Sequence, residues 1–166
     1  RDNDEILVNP NMGLFSYYID NEMTGYEISG PESYYFEEIP GMAAVYLRGG
    51  WSLFEPEEGK YDWSLIDMAI QKYGSVGLQV ALRITCADDF SYSTPKWVFD
   101  AGAKSGLWGT WVMPVWEDPI FLEKLDNFLR ALGEKYNGDP NIAYIDVGTL
   151  GIFGEGHMME MSTYSM

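Results

Sequence analysis

A chain of 166 residues, 46% of them hydrophobic, is long enough to bury a sizeable core and too apolar to be disordered. Its net charge of −16 excludes nucleic acid and anionic membrane surfaces as partners, because both require a basic face. The same acidity suits a neutral or weakly charged partner. Aromatic residues make up 16% of the chain, and their rings either line an open cleft or cap the core.

The first half of the chain predicts two strands and one helix. Residues 11–18 form a short strand, and residues 19–40, rich in Asp, Glu, Ser and Gly, form a long connection. Residues 42–48 form a second strand with glycine on both sides. Apolar residues at helical spacing then predict a helix over residues 63–74.

The second half continues the alternation of strands and helices. The apolar run at residues 78–85 is typical of a strand buried on both faces, as in a parallel sheet. Residues 86–117 form a long irregular loop of the kind that carries function in α/β proteins. Asp118 with a following proline begins a strong helix, Asn137 ends it, and residues 141–148 form the last strand before a Gly-rich loop.

This order of elements indicates an α/β fold with parallel strands and right-handed crossovers. Both a doubly wound sheet and part of a (β/α) barrel fit it. A complete TIM barrel takes about 250 residues, so four predicted strands favour about the first four strand-helix units, a half-barrel. We therefore expect residues 1–166 to form a single partial domain, the N-terminal half of a barrel. Its open edges require a missing C-terminal half-barrel or an oligomeric partner that closes the sheet.

Cysteine and hydropathy patterns bear on location. The one cysteine, Cys86, excludes an internal disulfide and lies in an apolar run, where a buried role is expected. The sequence has no membrane-spanning run and no signal-peptide core, and it starts at Arg1 rather than Met, so we expect an upstream segment to have been removed. Because acidity keeps an exported protein soluble, a secreted, periplasmic or cell-surface location is expected.

Polar and aromatic side chains follow the predicted strands, whose C-terminal ends share the face on which barrel enzymes do chemistry. The candidates are Arg48 and Trp51 after the second strand; Arg83, Asp88, Trp97 and Trp116 after the third; and Glu155 and His157 after the fourth. Each arginine needs a partner, which is either a catalytic carboxylate, a substrate oxygen, or a structural ion pair with Asp88 or Asp146. The three tryptophans are either sugar-stacking platforms or packing residues.

Glu155 is the candidate general acid/base. Glycines on both sides permit a sharp turn and close approach of a ligand. A carboxyl held among Ile152, Phe153 and Met158 would be partly desolvated, which raises its pKa as a general acid requires. The alternative is a solvent-facing glutamate in a flexible loop.

His157, the sole histidine, cannot build a usual zinc site, and it either contacts a sugar hydroxyl, tunes Glu155, or makes a structural hydrogen bond. The sequence contains no phosphate loop and no dinucleotide fingerprint, so neither a metal nor a cofactor is expected.

Three segments resemble clan-A glycoside hydrolases. Residues 49–67, GGWSLFEPEEGKYDWSLID, resemble the W-x-x-x-E-P-x-x-G-x-Y-x-[WF] run after the second barrel strand of β-galactosidase-like and agarase-like families. QVALRI at 79–84 resembles the third strand that follows, and IDVGTLGIFGEGH at 145–157 is similar to the end of the fourth strand in bacterial β-galactosidase-like proteins. The resemblance implies retaining hydrolysis of a β-galactoside or related polysaccharide by the full-length parent.

The resemblance also implies residue roles. Glu155 matches the acid/base position, and Arg48 matches the arginine that supports the nucleophile. The nucleophile itself is expected beyond Met166, so this chain alone is expected to be inactive, because retention requires two carboxyls about 5–5.5 Å apart. Gly154 stands where many members carry Asn, which puts the contact to the sugar 2-hydroxyl in doubt, a role that His157 can take. Two alternatives remain: a non-catalytic carbohydrate-binding protein on a barrel-derived scaffold, and a stand-alone domain that dimerises.

Overall fold

A computed structural model describes residues 12–20, 38–88 and 92–156. Most of the predicted connection over residues 19–40 lies outside the described residues, as does His157. The strands are β1 (Leu14–Asp20), β2 (Met42–Gly50), β3 (Gln79–Thr85), β4 (Ser105–Trp108), β5 (Trp111–Pro114) and β6 (Ile142–Asp146). The helices are α1 (Trp51–Phe54), α2 (Ser64–Gly74), α3 (Lys96–Asp100) and α4 (Pro119–Tyr136), and a 3₁₀ turn spans Ile152–Gly154.

The main sheet has the order β1-β2-β3-β6, and all of its neighbouring strands are parallel. Helix α2 connects β2 to β3, and α4 precedes β6. The predicted α/β fold of parallel strands is thereby confirmed, as are the predicted strands and the two long helices. None of the helices within the described part of the chain is long and apolar enough to cross a membrane.

Helix α4 begins where the sequence predicts, because its first turn is satisfied locally. One carboxylate oxygen of Asp118 accepts hydrogen bonds from the backbone N–H groups of Ile120 at 3.0 Å and Phe121 at 3.1 Å. Pro119 occupies the first turn, where its missing N–H costs nothing. The helix ends at Asn137, also as predicted.

The region predicted as irregular, residues 86–117, is more ordered than expected. It contains α3 and an antiparallel hairpin of β4 and β5, which turns at Gly109 with φ +60°. The two four-residue strands, SGLW and WVMP, do not alternate apolar and polar residues, so the sequence lacks the usual strand pattern there. The expectation of an irregular loop is therefore wrong for this segment.

The hydrophobic core lies between one face of the sheet and the helices. Alternate residues of the central strands, Val45 and Leu47 on β2 and Leu82 and Ile84 on β3, are fully buried there. The other face of these strands carries small and polar residues instead.

That second face is concave. The ring centroids of Phe15 on β1 and Tyr144 on β6 lie 5.7 Å apart, although β2 and β3 separate the two strands. Ala44 is in register with Phe15, and Ala81 with Tyr144, so small side chains leave room for the two rings to meet. The sheet is thus curved like the wall of a barrel. Its edges expose apolar side chains of Met12, Leu14, Phe15, Tyr144, Ile145 and Val147.

Candidate active site

Three charged residues lie in one row across the C-terminal ends of the central strands. Arg48 on β2 is in register with Arg83 on β3, and Arg83 is in register with Asp146 on β6. Residues in register on parallel strands point to the same side of the sheet, which here is the concave side. The topology therefore brings together side chains that are 98 residues apart in the sequence.

Asp146 is the carboxylate of this row, and three hydrogen bonds converge on one of its oxygens. Its Oδ2 accepts from the Tyr46 hydroxyl at 2.7 Å, from Arg83 Nε at 2.9 Å and from an Arg83 terminal nitrogen at 2.6 Å. Burial opposes ionisation of Asp146, but the hydrogen bonds from Tyr46 and Arg83 outweigh it and lower the pKa of this carboxyl below its usual value. Asp146 is therefore held as an anion that fixes Arg83.

Arg83 also depends on a glycine. A Cβ added to Gly148 would lie 2.4 Å from Arg83 Cγ and 3.1 Å from the backbone oxygen of Ile84. The second terminal nitrogen of Arg83 donates to the carbonyl of Phe153 at 3.3 Å. Arg83 consequently ties the end of β6 and the Gly-rich loop to the middle of the sheet.

Arg48 is paired with Asp88 rather than with Asp146. Its guanidinium lies 3.2 Å from an oxygen of Asp88, whose side chain is 0% exposed, while 13% of the Arg48 side chain is exposed. The guanidinium carbon also lies 5.8 Å from the centroid of the Phe153 ring. Each arginine therefore has a carboxylate partner, as one of the predicted alternatives requires.

The loop that carries Glu155 is folded tightly against the strand ends. The N–H of Phe153 donates to the carbonyl of Ala87 at 2.9 Å, and Phe153 itself has φ +57°, unusual for a residue other than glycine. A Cβ on Gly154 would lie 2.3 Å from the carbonyl oxygen of Gly148, so these two backbone segments are in direct contact. The asparagine that many clan-A members carry at this position does not fit here.

Glu155 is exposed, which corrects the prediction of a partly desolvated carboxyl. The physical reason lies in its neighbours. Ile152 is buried in the core, and the ring of Phe153 faces Arg48 and Trp108, whereas Glu155 is exposed. Met158, the third predicted neighbour, lies outside the described residues. Any desolvation of Glu155 must come from parts of the protein beyond the described residues.

For two of the three tryptophans predicted as stacking platforms, the structure shows a buried ring, so the prediction is wrong. Trp51 is 0% exposed, and its indole N–H donates to a buried oxygen of Glu55 at 2.8 Å, so neither ring face is open to a ligand. Trp116 is 8% exposed and packs edge-on against Phe121 at 5.9 Å. Both residues follow strand ends, but their rings turn into the helical layer.

Trp97 is partly exposed, but it faces a groove that is separate from the row of Arg48, Arg83 and Asp146. Its indole N–H donates to the Glu55 carbonyl, and its ring lines a groove of about 360 Å³ between the loop at 55–61 and α4. In this groove burial raises the pKa of Glu55, although hydrogen bonds from the Gly59 N–H and the Trp51 indole oppose the shift. The structure therefore does not place Trp97 in the row of Arg48, Arg83 and Asp146.

Trp108 and Trp111 are absent from the predicted site residues, yet they lie beside the site. Their ring centroids are 4.6 Å apart across the hairpin, and Trp108 meets the Phe153 ring edge-on at 6.3 Å. The signal in the sequence is W-G-T-W, a two-residue turn between matched aromatic residues.

The described residues contain no group of three or more His, Cys, Asp and Glu side chains that could hold a metal ion. Asp88 and Arg48 are brought together, as are Arg83 and Asp146, whereas His157 lies outside the described residues. What the arrangement offers chemically is a set of fixed cations and anions on a concave face with a carboxyl at its rim.

Comparison with known proteins identifies the group to which this arrangement is similar. A sequence model of glycoside hydrolase family 42, described as β-galactosidase, matches residues 42–149. The β-galactosidase BbgII of Bifidobacterium bifidum is 36% identical over 102 residues, which are 55% of this chain and 14% of that protein. The β-galactosidase BgaH of Haloferax lucentense is 24% identical over 110 residues, which are 59% of this chain and 16% of that protein.

A solved structure gives the same result for the fold. The β-galactosidase from the psychrophilic Marinomonas ef1 superimposes with a TM-score of 0.50 and 20% sequence identity, over 80% of this chain and 21% of that one. The chain thus spans only about a fifth or less of the length of these relatives. The matched range of the family includes Arg48, Arg83, Asp88 and Asp146, but it ends before Glu155.

Proposed function

Since this chain belongs to glycoside hydrolase family 42, the β-galactosidase family, we propose that it forms the N-terminal half of the catalytic barrel of a longer glycosidase. The proposed reaction is hydrolysis of β-galactosides with retention of configuration. The observation that carries the proposal is the row of Arg48, Arg83 and Asp146 on the concave face, with the loop of Glu155 folded against the same strand ends.

Glu155 is the proposed general acid/base. In a retaining mechanism it donates its proton to the glycosidic oxygen as the bond from C1 to that oxygen breaks and a carboxylate nucleophile attacks C1. It then removes a proton from the water that displaces the nucleophile. The contacts of Phe153 with Ala87 and of Gly154 with Gly148 support this role, because they hold the backbone directly before Glu155.

Arg48 is the proposed partner of the nucleophile, which comes from a part of the protein outside this chain. Because Asp88 is fully buried, it holds the guanidinium in one place and prevents it from swinging into solvent. Arg83, fixed by Asp146, is the second cation of the row and is proposed to contact substrate oxygens. His157 keeps its proposed role as a contact to a sugar hydroxyl.

Replacement of Glu155 tests the proposal. In the full-length protein, Glu155→Gln is expected to lower kcat/KM for lactose by about 10²–10⁴-fold, the usual contribution of a general acid. A galactoside with an activated aryl leaving group needs less protonation and is expected to lose less in its first step. Glu117→Gln, a change at an exposed glutamate outside the site, is the matched control. An unchanged rate for lactose would remove Glu155 from the mechanism.

The rest of the barrel is the proposed partner of the open sheet. Apolar side chains at both edges of the sheet are exposed, including Leu14 on β1 at 55% and Val147, directly after β6, at 84%. Covering them supplies a favourable apolar contact, and closing the sheet removes two unpaired strand edges. A further C-terminal half-barrel in the same protein satisfies both needs; a second copy of the chain is the alternative that a measured mass distinguishes.

We further propose a polysaccharide substrate and a secreted, periplasmic or cell-surface location. The net charge of −16 supports both, because it favours solubility outside the cell and does not repel a neutral sugar chain. Fractionation of the producing cells tests the location. Galactosidase activity confined to the cytosolic fraction would contradict it.

A non-catalytic carbohydrate-binding protein is the second candidate, and one observation favours it. The position before Glu155 has no room for the asparagine that many members carry, since even a Cβ at Gly154 overlaps the backbone of Gly148. Under this alternative the full-length protein binds galactosides by calorimetry and releases no galactose from them. Turnover of lactose would eliminate it.

A further inference from the structure

The β4–β5 hairpin places two tryptophan rings beside the loop of Glu155. Trp108 and Trp111 face each other across the hairpin with centroids 4.6 Å apart, and both are partly exposed. Val115 N–H donates to the Lys104 carbonyl at 3.0 Å and closes the base of the hairpin. Met113 is buried in the core and anchors the second strand. The two rings are therefore presented by a fixed scaffold.

A continuous line of contacts joins this hairpin to the charged row. The Trp108 ring meets Phe153 edge-on, with an interplanar angle of 86°. The Phe153 ring in turn lies under the Arg48 guanidinium, and the backbone carbonyl of Phe153 accepts a hydrogen bond from Arg83. Because Phe153 stands two residues before Glu155, the aromatic pair borders the loop that carries the proposed acid.

We propose that Trp108 and Trp111 form a sugar-binding platform for the leaving-group part of an oligosaccharide substrate. This inference rests on the proposed function. An indole ring presents a broad apolar face with a polar edge, which suits a sugar ring whose C–H groups face one way and whose hydroxyls face the other. A neutral sugar is also compatible with the strongly acidic chain, which would repel an anionic ligand.

The leaving-group side follows from the role of Glu155. A general acid in a glycosidase protonates the oxygen of the bond that breaks, so its loop borders the space that the leaving group occupies. The aromatic pair lies next to that loop through Phe153. Sugar units beyond the cleaved bond are thus the units that reach Trp108.

Two substrates that differ in the leaving group test the platform in the full-length protein. In galactotriose the leaving group is a disaccharide, whereas in β-galactosyl fluoride it is a single atom that cannot reach the hairpin. Trp108→Ala is expected to lower kcat/KM for galactotriose by about tenfold, from an aromatic contact worth about 1.4 kcal/mol, with little change for the fluoride. Trp111→Ala is expected to act in the same direction, and it keeps the contact between Trp108 and Phe153.

Leu107→Ala is the matched control, since Leu107 neighbours Trp108 on the same short strand, is 57% exposed and points to the other side of the hairpin. Equal losses on both substrates would overturn the platform, because Trp108 would then only shape the Glu155 loop. No loss on either substrate would overturn it as well.

Failure of the proposed function gives a different result from failure of the platform. If the unmodified protein cleaves neither substrate, the glycosidase proposal fails, and calorimetric titration with galactotriose then judges the platform alone. The platform is supported if the unmodified protein binds galactotriose and Trp108→Ala weakens that binding. Absence of binding by the unmodified protein refutes it.

Discussion

Gly154 and Gly156 flank Glu155 with nearly the same backbone conformation and very different surroundings. Their φ angles are +69° and +72°, both in the left-handed region. A Cβ at Gly154 would lie 2.3 Å from the oxygen and 2.7 Å from the Cα of Gly148, whereas a Cβ at Gly156 would meet no heavy atom of the described residues within 4 Å. The pair therefore separates backbone strain from steric overlap.

Substitution of each glycine by alanine gives a predicted difference. Both variants carry the left-handed penalty of about 1–2 kcal/mol in the free energy of unfolding. Only Gly154→Ala also overlaps the backbone of Gly148, which cannot rotate away as a side chain can, and this overpacking adds about 1–3 kcal/mol. Relief requires the two backbone segments to separate, and that movement displaces Glu155.

Urea denaturation and steady-state kinetics of the full-length protein measure both effects. The free energy of unfolding of Gly154→Ala is expected to be lower than that of Gly156→Ala by the roughly 1–3 kcal/mol of the steric overlap. The kcat/KM of Gly154→Ala for lactose is expected to fall by about a further 10²-fold, because a shift near 1 Å of a catalytic group has an effect of that size. Equal stability and equal activity of the two variants would refute the inference that contact between Gly148 and Gly154 fixes the loop.

Three further predictions concern single side chains. The pKa of Asp146 is lowered in the folded state, so the stability that this carboxylate contributes is present above its unfolded pKa of about 3.9 and is lost as the pH falls through its folded pKa. Thermal melts from neutral to strongly acidic pH should therefore show a larger loss of Tm for the unmodified protein than for Asp146→Asn. Parallel losses of Tm in the two proteins would contradict this. Asp118→Ala removes the cap of α4 and should lower the free energy of unfolding by about 1 kcal/mol in urea, whereas no change would mean that Pro119 alone determines where the helix begins. Burial raises the pKa of the Cys86 thiol to about 12, so a thiol reagent at mildly alkaline pH should label Cys86 only after denaturation, and rapid labelling of the folded protein would show that the segment after β3 opens.

The features of this fold that the sequence predicts well are the ones with local causes. Helix α4 has its own cap at Asp118 and a proline in its first turn, so its start needs no tertiary information. The central strands are largely apolar runs, and such runs are typical of strands covered on both faces. Arg48 and Arg83 stand out because each is a charge at the end of such a run.

The features that the sequence does not determine depend on which way a side chain turns in the assembled structure. Trp51 follows a strand end directly, but the short helix α1 directs its ring into the core, where Glu55 provides a buried acceptor. Trp108 gains its position only because a hairpin forms and Phe153 adopts a left-handed conformation beside it. Neither outcome follows from residue type or spacing.

The exposure of Glu155 has the same kind of cause. Its apolar neighbours in sequence suggest a covered carboxyl, but Ile152 and Phe153 are used elsewhere, in the core and against Arg48. The environment of the carboxyl therefore depends on where its neighbours pack, which their residue types alone do not determine.

The most direct test of the central claim is the product that the full-length Glu155→Ala variant forms from an activated aryl galactoside in the presence of azide. If Glu155 is the acid/base of a retaining enzyme, the nucleophile still forms the galactosyl intermediate, and the vacated space admits azide, which needs no base. The expected outcome is a rate increased by azide and β-galactosyl azide identified by NMR. Formation of α-galactosyl azide would assign Glu155 as the nucleophile instead, and activity of the variant on lactose equal to that of the unmodified protein would contradict any catalytic role for this residue.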